Sequence, residues 1–65
     1  MPSREQDYSL IAVLHDLLED IESYDRYLKN ATDCDECAAI WLLLKTQAEA
    51  AVTRIRDEIQ RHAVD

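Results

Sequence analysis

The stretch Asp33-Cys34-Asp35-Glu36-Cys37-Ala38-Ala39-Ile40-Trp41-Leu42-Leu43-Leu44 decides the fold. It joins the start of a helix to the most apolar run in the chain. Thr32 and Asp33 are N-cap residues with Asp35 and Glu36 three places on, the spacing of a capping box. Acids in a first turn also meet the positive end of the helix dipole. A helix is therefore expected to begin at about Asp33. From Cys37 to Leu44 no residue is charged, and Ile40, Trp41, Leu42, Leu43 and Leu44 point all the way round a helix of 3.6 residues per turn. One neighbouring helix covers only a stripe of that surface, so the run predicts a second contact beyond the intramolecular one.

Working outward, the preceding segment carries Leu10, Leu14, Leu17, Ile21, Tyr24 and Leu28 at spacings of four and three, a heptad seam. Ile11 and Leu18 widen it on one side, Val13 and Tyr27 on the other. Ser3 with Gln6 reads as a first capping box, with Ser9 as a second choice, and Asn30 reads as a left-handed C-terminal cap. A first helix over about 4–30 and a second over about 33–62 follow. The connection, Asn30 to Thr32, is short enough to force antiparallel neighbours. On the second helix the seam is read as Cys34, Cys37, Trp41, Leu44, Ala48, Ala51 and Ile55, passing to Val52, Ile55 and Ile59. Folding at the loop sets Tyr24 near Trp41, Ile21 near Leu44, Leu17 near Ala48, Leu14 near Ala51 and Leu10 near Ile55. The core set is Leu14, Leu17, Ile21, Tyr24, Leu28, Cys37, Trp41, Leu44 and Ile55. Ile40, Leu42 and Leu43 are left for another chain.

Sixty-five residues with no glycine and a single proline at position 2 suit one all-α hairpin domain. A core of that size is marginal, and self-association is the natural remedy. The expected assembly is a homodimeric or larger four-helix bundle. The net charge of −7 is spread evenly, with three bases against seven acids in residues 1–30 and four against seven in 31–65. That balance argues against nucleic acid, whose affinity comes from Lys and Arg on phosphates, and against anionic membranes. No apolar run approaches the roughly 20 residues of a membrane span. The opening Met-Pro-Ser-Arg-Glu lacks the pattern of a signal peptide, so a cytoplasmic protein with reduced thiols is expected.

Three constellations could carry chemistry. Cys34 and Cys37 form a Cys-x-x-Cys at a helix N-terminus, where the dipole favours a thiolate, although Asp35 and Glu36 oppose it. Redox exchange and a zinc site built from two cysteines on each of two chains stand beside simple packing as readings. Glu58 and His62 lie four apart, and the register brings Asp7 near them, a carboxylate and imidazole set for a divalent metal. The acidic face of the first helix, Asp16, Glu19, Asp20, Glu22 and Asp25, reads as a solvated surface, with His15 and Glu19 as a loose pair. No phosphate loop, activated nucleophile or acid and base of opposed environments is present, so catalysis is not expected.

The stretch Glu19-Asp20-Ile21-Glu22-Ser23-Tyr24-Asp25-Arg26-Tyr27, with Ala31-Thr32-Asp33, Glu36 and Ala39-Ile40, resembles the encapsulated ferritins, two-helix members of the ferritin-like group. The resemblance implies hairpins paired into a four-helix bundle, a di-iron ferroxidase site at their interface and packaging in an encapsulin shell. It sets Asp20 at a first-helix carboxylate ligand and Tyr27 at the family's tyrosine. Arg26 replaces the family's tryptophan, and Ala48 and Ala51 fall where its Glu-x-x-His ligands would stand. Reading Arg56 to His62 as that motif restores a histidine but leaves Ile59 at the glutamate. The expectation is thus a non-catalytic, self-associating interaction or scaffold protein without a cofactor. The alternatives are a ferritin-like protein binding iron or zinc between subunits, and a regulatory module that binds a different protein through the apolar surface around Leu42.

Overall fold

The computed structural model describes residues 4–64, with side chains described as far as Ala63. Two helices, α1 (Arg4–Asn30) and α2 (Asp35–Val64), fold back on each other as an antiparallel hairpin. The proposed Ser3 cap lies outside the described residues.

The hairpin turn departs from the expected geometry at both of its ends. Asn30 stays helical, and no described residue has a positive φ, so no left-handed cap closes α1. Instead the Ala31 N–H donates to the Leu28 carbonyl at 3.2 Å, a tight last turn of the 3₁₀ kind. Thr32 and Asp33 are then used in the turn, and α2 starts at Asp35 rather than Asp33. Cys34 takes the N-cap position. Its carbonyl accepts the Ala38 N–H at 3.1 Å, and its Sγ accepts the Cys37 N–H at 3.2 Å. A sulfur thus satisfies a first-turn donor that the oxygen of Thr32 or Asp33 was expected to satisfy.

The inward stripe of α2 keeps Cys34, Trp41, Ala48 and Ile55 of the expected seam and takes in Ala38 and Lys45. Cys34, Ala38, Trp41, Lys45, Ala48, Val52, Ile55, Ile59 and His62 all turn inward, at alternating spacings of four and three. Cys37, expected in the core, is exposed, and Ala38 occupies the inward place beside it. Leu44 and Ala51 remain half-buried at the edge of the stripe. On α1, the predicted seam of Leu10, Leu14, Leu17, Ile21, Tyr24 and Leu28 is half-buried throughout.

Register follows the expected pairing. Trp41 stacks on Tyr24 with ring centroids 6.3 Å apart and planes at 18°, while Tyr27 meets it at 5.0 Å and 50°. Such ring pairs add about 0.5–1.5 kcal/mol each beyond the area they bury. Just beyond this stack the Lys45 ammonium reaches Asp25 at 2.7 Å. At the open end His62 Nδ1 lies 2.7 Å from an Asp7 oxygen.

Among the described residues only Ala48 and Val52 are buried, each at 6% exposure. Two helices alone make a rod, measuring 51 × 14 × 11 Å with a radius of gyration of 14.9 Å. A compact domain of this length would have a radius of about 10.7 Å. The accessible surface is 5224 Å², some ~1,000 Å² more than the roughly 4,250 Å² usual for a folded monomer of this mass. The hairpin therefore buries less of itself than a self-sufficient domain does.

Candidate association surface

Eight large apolar side chains stand exposed among the described residues: Tyr8, Ile11, Val13, Leu18, Tyr27, Ile40, Leu42 and Leu43. Three of them, Ile40, Leu42 and Leu43 at 52–57% exposure, come from the uncharged run of α2 that has too many apolar residues for one neighbour. Helix periodicity explains their position. Trp41 and Leu44 turn toward α1, so the residues between and before them cannot. The surface beside them is made of small side chains, Ala39, Thr46 and Ala50, all exposed. The hydroxyl of Thr46 donates to the Leu42 carbonyl of its own helix at 2.9 Å. Its donor is already satisfied, so covering this threonine strands no hydrogen.

The thiol pair lies at the closed end of the hairpin. Cys37, Trp41 and Tyr27 line an open groove of about 310 Å³ with Cys34 and the turn. The side-chain hydrogen bond with Cys37, and then the Cys37 backbone N–H, lower the Cys34 pKa from the ordinary thiol value. The same side-chain bond raises that of Cys37. The helix terminus thus favours charge on one sulfur at the expense of the other. Alkylation with iodoacetamide across a pH series should label Cys34 at lower pH than Cys37, as read by peptide mass spectrometry. Equal profiles, or Cys37 leading, would contradict the thiol cap.

The open-end cluster comes together as the register predicts, and its side chains bond one another. His62 and Asp7 clamp the two helices, and Glu58 stands 3.8 Å from His62 Nε2. Both Glu58 oxygens accept from Arg61 Nε, at 2.6 and 3.0 Å, and this pairing is the first cause of the lowered Glu58 pKa. The neighbouring groove, about 360 Å³, is lined by Leu10, Arg54, Ile55, Asp57, Glu58 and Arg61. Among the described residues no group of three or more His, Cys, Asp and Glu side chains is placed to hold a metal ion. His15 lies 3.4 Å from Glu19 on the exposed side of α1. Asp20 is exposed, Tyr27 packs on Trp41, and Ala48 is buried at one of the two places where the ferritin-like ligands would stand.

No family model, no curated protein and no solved structure matches this chain. Among the described residues no helix is long and apolar enough to cross a membrane.

Sequence reasoning missed Lys45. The nearby Asp25 carboxylate, through a hydrogen bond and its charge, raises the Lys45 pKa, and the pair ties the two helices near the closed end. Its signal was present, since Lys45 continues the spacing Cys34, Ala38, Trp41, Lys45, Ala48. A lysine on such a stripe lays its methylenes over the seam and lifts its charge to the edge.

Proposed function

We propose that this chain is a self-associating helical hairpin, an interaction or scaffold module that pairs with a second copy of itself. The observation that carries this reading is the surplus of exposed apolar surface on a rod with two buried side chains among the described residues. Its excess of about 1,000 Å² is close to the roughly 800 Å² that each partner buries in a standard interface. A two-fold pair of hairpins gives α2 a second neighbour, as its uncharged run requires. No step of this function needs a cofactor.

Sedimentation equilibrium over a hundredfold range of protein concentration tests it. The expected result is a reversible dimer or larger species at micromolar concentration. A monomer at every concentration, with helical content intact, would remove self-association and leave the surface around Leu42 for a different protein.

A further inference from the structure

We infer that two copies meet through a second heptad seam on α2, formed by Glu36, Ile40, Leu43, Gln47, Ala50 and Arg54, and that the paired α2 helices run antiparallel. This inference rests on the self-association proposed above and assigns its geometry. The six residues follow spacings of four and three, and all six are exposed in the hairpin. At about 100° per residue they form one stripe, and because each lies two places after an inward residue it stands about 160° round the helix from the stripe that faces α1. It therefore lies on the side of α2 away from α1, where the hairpin leaves it uncovered, and joins two copies back to back through their α2 helices.

The identity of the partner follows from the way the stripe reads in reverse. Inverting it about Lys45 returns the same six positions. A two-fold axis there sets Glu36 against Arg54 of the second copy, Ile40 against its Ala50, and Leu43 against its Gln47. Large residues then face smaller or flexible ones, and each end of the contact closes on opposite charges. A parallel pairing would instead set Glu36 on Glu36 and Arg54 on Arg54. Antiparallel packing also opposes the helix dipoles. For a chain of net charge −7 this matters, because two copies repel overall, and the favourable register is the one that joins the acidic start of α2, Asp35 and Glu36, to the bases Arg54 and Arg56. Leu42 is excluded from the stripe. It lies about 160° round the helix from Ile40.

Charge exchange between chains tests the pairing. Glu36→Arg alone places arginines opposite each other in the homodimer, and Arg54→Glu alone places glutamates there. Each should dimerise about tenfold more weakly than the natural chain at low salt. An equimolar mixture of the two variants forms two opposite pairs per heterodimer, so it should recover the original strength. Circular dichroism of each variant confirms that the hairpin is retained. Should Glu36→Arg disturb the first turn, a second experiment reads register alone: Ile40→Cys in one chain and Ala50→Cys in another, both carrying Cys34→Ser and Cys37→Ser. Oxidised glutathione should cross-link the mixture and neither variant by itself. A monomeric natural chain would sink self-association as a whole. A dimer indifferent to the charge exchanges, or a mixture that neither recovers nor cross-links, would overturn this seam while leaving self-association standing.

Discussion

Trp41→Ala should lower the stability of the hairpin by about 2–4 kcal/mol, below the range for a fully enclosed tryptophan because this one is half-buried. The indole is the largest side chain in the seam, and it holds the closed end by contact with both Tyr24 and Tyr27. Truncation leaves two rings without a partner, beside a turn that has no proline or glycine to stiffen or shape it. A chain of 65 residues has a total stability of about 3–10 kcal/mol at the usual value per residue. Most of that margin would be gone. The melting temperature, followed by far-ultraviolet circular dichroism at one fixed protein concentration, should fall by more than about 10 °C. Trp41→Phe keeps an aromatic contact and should fall much less. An unchanged melting temperature for Trp41→Ala would show that the closed end does not depend on this stack.

The pairing of Tyr24 with Trp41 was legible because heptad spacing fixes which side of each helix faces the other, and a short turn then fixes the register. The meeting of Asp7 with His62 at the other end follows from the same two constraints. The start of α2 was harder to read. Thr32, Asp33 and Cys34 all precede the apolar run, and capping preference favours the oxygen side chains over sulfur. Their use was decided by the turn, which takes up Thr32 and Asp33 and leaves the thiol at the helix start. Lys45 is harder to place from sequence because lysines are mostly exposed, whereas this residue sits half-buried in the seam and its ammonium meets Asp25. The open-end cluster shows the converse. Asp7, Glu58 and His62 are ligand types at plausible spacing, but Arg61 occupies both Glu58 oxygens.

Leu43→Glu should convert the assembly to monomers at concentrations where the natural chain is paired, weakening association about 100-fold or more. The side chain is 57% exposed in the hairpin, so the substitution touches little that holds α1 to α2. In the paired state it would place a carboxylate in a central layer, twice because of the two-fold axis, with no opposite charge beside it. Removing such a group from water without a partner costs several kcal/mol. The contrast with Leu42→Glu makes the measurement specific. Leu42 is almost as exposed, at 53%, and equally apolar, yet it points about 100° away from Leu43. Non-specific stickiness would make the two substitutions equivalent. A defined antiparallel seam makes Leu43→Glu the more damaging by at least tenfold, since the Leu42 carboxylate stays in water. Sedimentation velocity of both variants at matched concentration and salt supplies the comparison, with helical content as the control for folding. If Leu42→Glu dissociates the protein and Leu43→Glu does not, the contact lies on the other side of α2, beside Glu49 and Arg56 rather than Gln47 and Arg54.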